Sequence, residues 1–350
     1  MYEFSQFKFL HHLDRIRAIC HGELPPPVTI EVDLTNACNH RCLWCLDHSY
    51  NSRIDTTLKE TPFLNFADEI VEQGVYSLIF KGRGEPLLYY SFTKVIQHIR
   101  SKGLDLGLVT NGETINRHLE AIPHLSWVGV SLDAATAETH QKLHKPFKTD
   151  AFHTIVDNLY QISTSAYTGI LYLIHPENIQ EMEAAAQLAR DVGCRCITFK
   201  RIAGEETEKL TSGMLREIDE SIMKIKREQG GANFQVLDTG LYHAYRGGKI
   251  SPYNICLAHH LIGILGSDGN LYPCMALRGE IDYSFGSIYR DTFRDIWYGE
   301  RRKVVLKKIS LHECSSRCLG QTSFFRYDYY NQLLEYLTTA KEKVGHLYFL

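Results

Sequence analysis

The stretch Val28-Thr29-Ile30-Glu31-Val32-Asp33-Leu34, followed closely by Cys38-Asn39-His40-Arg41-Cys42-Leu43-Trp44-Cys45, sets the frame for the whole chain. Its first seven residues alternate apolar and polar, the period of a β-strand. Val28, Ile30, Val32 and Leu34 form a face suited to packing against helices, and Thr29, Glu31, Asp33 and Thr35 point the other way. A strand sandwiched between helix layers reads apolar on both faces, so the polar face predicts a lumen that holds something polar. The loop that follows carries three thiols within eight residues, at gaps of three and two. Three thiolates hold three corners of a cubic iron–sulfur cluster and leave one iron open, as open positions mark catalytic metal sites elsewhere. A zinc site or three unrelated buried thiols is the alternative, although zinc motifs more often show two C-x2-C pairs.

Outward from this stretch, residues 5–21 carry Phe7, Leu10, Leu13, Ile16 and Ile19 at helical spacing, and Gly22 and Pro25-Pro26-Pro27 end that helix. Downstream, strands are predicted at 77–80, 105–110, 127–132, 166–175 and 194–200, and helices at 62–74, 90–102, 114–122, 151–162 and 176–192, the last opened by Pro176. This alternation implies parallel βαβ units. Six strands are fewer than the eight of a closed barrel. The expected fold is α/β, a partial (β/α)6 TIM-like barrel over 28–204. A leading helix (1–27), a helical connector (205–255) and a small α+β extension (256–350) complete the expected division. In the extension a hairpin turns at Ser267-Asp268-Gly269, and helices are expected over 292–309 and 325–341.

Composition narrows the function. The 350 residues are 44% hydrophobic with a formal charge of −3, so no basic excess seeks a polyanion, and nucleic acid is not an expected partner. No uninterrupted apolar signal segment or 18-residue apolar run occurs, so a soluble cytoplasmic protein with no membrane partner is expected. Ten cysteines then point to metal binding or catalysis rather than disulfides. Cys20, Cys194 and Cys196 read as small buried hydrophobes, and His11-His12 and His259-His260 as solvated or partly packed surface.

In parallel α/β folds the ligand site gathers at the C-terminal strand ends. The cysteine loop follows strand one, Gly82-Arg83-Gly84-Glu85 strand two, and Asn111 strand three; Ser131 and Asp133 end strand four, His175 strand five and Lys200 strand six. The glycines admit close backbone approach to an anionic oxygen. Glu85 suits an ammonium, and Ser131 and Asp133 suit ribose hydroxyls.

Cys38-x3-Cys42-x2-Cys45, with Trp44 before the third cysteine, resembles the signature of radical S-adenosylmethionine (SAM) enzymes, and the resemblance runs from about Pro27 to Arg201. It implies a [4Fe–4S] cluster on the three cysteines whose open iron takes the amino and carboxylate groups of SAM. Gly82-Arg83-Gly84-Glu85 matches the family's Gly-Gly-Glu segment near the methionine amine, with Arg83 where glycine is often found. Asn111, Ser131 and Asp133 join the cofactor contacts, the last two at the ribose, and Trp44 stands beside adenine. The family's chemistry is one-electron cleavage of SAM to a 5′-deoxyadenosyl radical that takes hydrogen from a substrate, with an external donor of flavodoxin or ferredoxin type.

A second constellation comes late: Cys256-x17-Cys274 brackets the hairpin, and Cys314-x3-Cys318 follows. Four thiolates suit zinc or a [4Fe–4S] cluster. Residues 285–297 resemble the SPASM auxiliary-cluster extension. Four suitable cysteines, against seven in the full pattern, fit the shorter "twitch" form, which implies one auxiliary [4Fe–4S] cluster. Asp33 and Lys200 face the lumen by alternation and are the candidate catalytic bases or substrate anchors; for each, a barrel-interior ion pair is the alternative. The favoured substrate is a small hydroxylated molecule (aminocyclitol, sugar or nucleoside) undergoing oxidation or epimerisation. Peptide maturation is the alternative, ranked second because the roughly 27 residues before strand one are too few for a leader-binding domain. A non-enzymatic iron–sulfur carrier is the remote reading.

Overall fold

The computed structural model describes residues 6–45, 56–201, 209–238, 253–309 and 325–339; Cys314 and Cys318 lie outside them. Strand β1 (Thr29–Val32) is followed across the sheet by β2 (Ser77–Phe80), β3 (Asp105–Thr110), β4 (Trp127–Ser131), β5 (Tyr167–Ile174) and β6 (Cys196–Arg201), all parallel. These are the six strands of the expected partial barrel. The sheet continues at both ends. On one side β7 (Gln235–Asp238) pairs in parallel with β6; four residues are too few for alternation to be legible, and the sequence suggested only a helical connector there. On the other, β8 (Ile262–Leu265) runs parallel to β1, and β9 (Asn270–Tyr272) and β10 (Gly286–Ser287) add antiparallel. The C-terminal hairpin is therefore an extension of the barrel sheet.

The helices are α1 (Leu13–Cys20), α2 (Glu60–Glu72), α3 (Phe92–Ser101), α4 (Ala137–His144), α5 (Ala151–Ile162), α6 (Met182–Asp191), α7 (Ser212–Glu228), α8 (Phe293–Tyr298), α9 (Glu300–Lys308) and α10 (Phe325–Thr339). Helix α3 illustrates why they form: Phe92, Val95, Ile96 and Ile99 share one stripe and are fully buried, each contributing roughly 1.5–3 kcal/mol. Four expectations need correction. Residues 114–122 contain only single 3-10 turns. Helix α6 starts at Met182 rather than Pro176, because the buried Asn178 side chain binds the backbone of His175, Leu173 and Asp133 and holds the intervening loop open. The helix over 292–309 breaks at Gly299, where a Cβ would lie 2.1 Å from Asp295 O. Helix α4, capped by Thr136 Oγ1 accepting from Thr139 N, occupies a stretch for which the pattern suggested no element.

The polar face of β1 meets polar partners inside the barrel: Thr29 bonds Ser77 at 2.7 Å, and buried Glu31 pairs with Lys81 at 2.8 Å. A cavity of about 540 Å³ lies at the N-terminal strand ends, lined by Thr29, Glu31, Ser77, Trp127 and Tyr167 among others. The cysteine loop occupies the opposite end. Phe9, Ile16 and Ile19 of the leading segment pack with Leu261, Ile264, Tyr272 and Leu334, which joins the two ends of the chain in one small core.

Candidate active site

Three neighbours fix the cysteine loop. After strand β2, Glu85 N donates to Ala37 O at 2.8 Å, and Gly84 lies so close beneath that a Cβ would come within 2.4–2.5 Å of the Ala37 and Thr35 carbonyls. After β3, Asn111 Nδ2 donates to Asn39 Oδ1 at 2.7 Å. At the end of α4, Arg41 N and Leu43 N donate to the His144 and Leu143 carbonyls, both at 3.0 Å, satisfying acceptors that a helix terminus leaves open. Cys38 and Cys42 are half-buried and Cys45 is exposed. Burial pushes the Cys38 thiol up to about 12, so a metal binding there displaces a proton. Three thiols on a loop anchored on three sides, one of them open to solvent, fit a cluster with a free iron.

The Gly82–Glu85 segment is built into the same rim. Gly82 has φ +147 and lies against Asp33; a Cβ would overlap that carboxylate. Arg83 donates to the Arg278 carbonyl. Glu85 is fully buried: Oε1 accepts from Leu87 N at 3.0 Å and Thr110 Oγ1 at 2.5 Å, and Oε2 from Asn111 N at 2.7 Å. Burial outweighs these donors and pushes its carboxyl up to about 7. An ammonium brought beside it would hold it ionised.

Behind the cysteines lies a group of histidines that no motif announced. Cys42 Sγ is 3.4 Å from His144 Nδ1, and His144 Nε2 is 2.9 Å from Asp133 Oδ2. The His140 ring stacks on His144 at 4.6 Å, and His40 and Trp44 meet it edge-on at 5.7 Å. Burial alone would lower His144, yet Cys42 and Asp133 together push it up to about 10. Burial holds His40 down at about 4, so its 3.0 Å contact with Glu113 is a hydrogen bond from a neutral ring rather than an ion pair. Metal-ligating atoms of His40, Cys42 and His144 fall within 4.8 Å of one another, but His40 Nε2 and His144 Nε2 already face carboxylates. Asp133, expected at a ribose, has both oxygens engaged by protein: Oδ1 accepts from Leu173 N and Oδ2 meets His144. Ser131 stands half-buried at the end of β4, in register with Leu171. Trp44 packs on His175 at 5.8 Å.

Asp33 is 2% exposed, and its Oδ1 accepts from Arg278 at 2.8 Å. The expected barrel-interior ion pair is present, with a partner contributed by the C-terminal segment four residues after Cys274. Lys200 is half-buried in β6 opposite Leu173, and neighbouring Arg201 turns to Asp219 and Asp238. In the C-terminal region Cys256 Sγ receives Asn331 Nδ2 at 3.5 Å, and Asn331 Oδ1 accepts from Leu257 N and Ala258 N. His259, expected near the surface, is buried beside Arg302 at 3.3 Å. Among the described residues no helix is long and apolar enough to cross a membrane.

A cysteine-rich loop at the C-terminal rim of a parallel partial barrel is an arrangement suited to an open iron–sulfur site. Residues 32–189 match the radical SAM superfamily and residues 256–319 the SPASM iron–sulfur cluster-binding domain. The chain belongs to the radical SAM superfamily and carries a C-terminal SPASM domain. A [4Fe–4S] cluster, SAM and auxiliary iron–sulfur come with that membership. The chain is 26% identical over 284 residues to a GTP 3′,8-cyclase of Helicobacter pylori, covering 75% of this chain and 85% of the relative. It is 24% identical over 290 residues to the mycofactocin maturase MftC of Mycobacterium tuberculosis, covering 78% and 71%. Its fold is that of Streptococcus suis SuiB, solved bound to the precursor peptide SuiA, at TM-score 0.65 and 16% identity over 92% of this chain and 75% of that one.

Proposed function

We propose that this protein is a radical SAM peptide maturase. What carries the reading is that barrel and SPASM segment are built as one sheet, with Arg278 seated on Asp33, and that a peptide maturase and a precursor-bound peptide-modifying structure align with the chain across both parts. This moves the substrate preference from the small hydroxylated molecule to the peptide. A small-molecule substrate remains the second reading, favoured by the 26% identity to a GTP cyclase.

A bound cluster with SAM would supply one-electron chemistry for removing a hydrogen atom from the substrate. The chain's share is positioning and exclusion of water. Cys38, Cys42 and Cys45 hold the cluster; Gly82, Gly84, Glu85 and Asn111 form the wall beside the methionyl group, Ser131 lies on the ribose side, and Trp44 offers a ring to adenine. Asp33 acts through Arg278 rather than as a base, and Lys200 is a second lumen-facing candidate to bind or deprotonate substrate. Cys256, Cys274, Cys314 and Cys318 hold the auxiliary cluster. Residues 28–204 form the radical-generating unit and 256–350 the auxiliary unit, with a cytoplasmic flavodoxin or ferredoxin as donor.

The test is anaerobic reconstitution followed by mass spectrometry of 5′-deoxyadenosine formed with deuterated candidates. Deuterium arriving from a precursor peptide supports the proposal; deuterium arriving only from a nucleotide, sugar or aminocyclitol overturns it in favour of the second reading.

A further inference from the structure

We infer that His144 is a positioning residue for the radical-generating cluster: held by Asp133, it donates Nδ1–H to Cys42 Sγ and raises the reduction potential of the cluster on that thiol. The inference rests on the proposed role of Cys42 as a cluster ligand and is indifferent to the substrate. Cys42 lies in the loop after β1 and His144 at the end of α4, 102 residues away in sequence, yet the sulfur and Nδ1 are 3.4 Å apart. This is a reasonable N–H···S separation, given the size of sulfur. The contact is aimed from behind. His144 Nε2 is 2.9 Å from Asp133 Oδ2, so each ring nitrogen faces a group that, as iron-bound thiolate or carboxylate, can only accept.

Asp133 is itself locked. Its φ is +53, its Oδ1 accepts from Leu173 N, and its carbonyl accepts from Asn178 Nδ2 at 2.8 Å. Rings surround the imidazole: His140 stacks on it at 4.6 Å, and Trp44 and His40 meet it edge-on, each at 5.7 Å. The loop and helix are also joined through their backbones on either side of the sulfur, at Arg41 and Leu43. A carboxylate that orients an imidazole, which in turn addresses a ligand atom, is how outer-shell groups tune metal sites. Hydrogen bonds to cluster sulfurs are a recognised lever on potential. Removing this donor leaves more charge on the sulfur and makes the cluster harder to reduce.

The test is the midpoint potential of the SAM-binding cluster in the reconstituted full-length protein, followed by electron paramagnetic resonance without substrate. That cluster is identified as the signal altered by adding SAM. His144→Phe should assemble iron as the wild type does and shift the potential downward by an amount equivalent to about a tenfold change in the reduced fraction, about 59 mV for a one-electron couple. His144→Gln, which keeps a side-chain N–H, should recover part of the shift. Asp133→Asn, which loosens the ring without removing it, should fall between and keeps the test decisive if His144→Phe does not fold. An unchanged potential in iron-replete His144→Phe, or in Asp133→Asn where the former cannot be made, overturns the inference.

Discussion

The two cysteine regions are built in opposite ways. The first places Cys38, Cys42 and Cys45 on one continuous loop, and the fold only has to hold that loop still. Gly84, Asn111 and the end of α4 do so, each through backbone or amide contacts. The second is assembled from distant pieces: Cys256 precedes β8, Cys274 follows β9, and α10 reaches back to Cys256 and the two residues after it through Asn331. A contiguous loop keeps its ligands together even when neighbours loosen, whereas an assembled site depends on the packing that brings its parts into place. The buried Asp33–Arg278 pair links the two regions, five residues before Cys38 on one side and four after Cys274 on the other.

Four tests can break that contrast. The largest effect is expected from Cys42→Ala, which should abolish SAM cleavage; retained cleavage on anaerobic assay would remove the site from this loop. Cys274→Ala, by comparison, should lower bound iron from about eight to about four, two four-iron clusters to one, and leave substrate-independent SAM cleavage measurable. Next is the strut. Arg278→Ala strands the Asp33 carboxylate in a site where both partners are at most 4% exposed, so about 3–5 kcal/mol should be lost on denaturant unfolding. The double variant Asp33→Leu/Arg278→Met should recover much of this, and equal losses in single and double variants would deny the pair its linking role.

The third effect is pH-dependent. Burial raises the Glu85 carboxyl from its ordinary 4.5 to about 7, so the folded state holds this proton more tightly than the unfolded one. The stabilisation is fully present below about pH 4.5 and lost as pH rises through about 7, amounting to about 3 kcal/mol. Glu85→Gln should flatten that slope relative to the wild type; identical pH profiles would place the carboxylate in a more solvated setting. The smallest effect concerns the assembled site. Asn331 is fully buried, and Asn331→Leu should cost about 1–3 kcal/mol by orphaning Leu257 N and Ala258 N. Auxiliary iron should fall while the first cluster is kept; parallel loss of both clusters would show that the two regions are not separable.

Local pattern was enough for much of this molecule. Alternation along 28–34 and the βα rhythm gave six parallel strands, because side-chain period is a local property and burying one face is what each element needs. Spacing gave the cysteine loop and the rim, since strand ends in a parallel sheet share one side. Short or unperiodic elements escaped: four-residue β7, and α4, where the polar face of Ala137-Glu138-Thr139-His140-Gln141-Lys142-Leu143-His144 masks a short buried stripe. What only the tertiary structure decided is partnership. Residue type made Asp33 a candidate base and Asp133 a ribose contact, but a carboxylate's role is set by which donors reach it. Arg278, 245 residues away, reaches the first, and His144 and Leu173 N reach the second. Charge and hydrogen bonding act over a few ångströms of space, and the chain brings distant residues within that range only by folding.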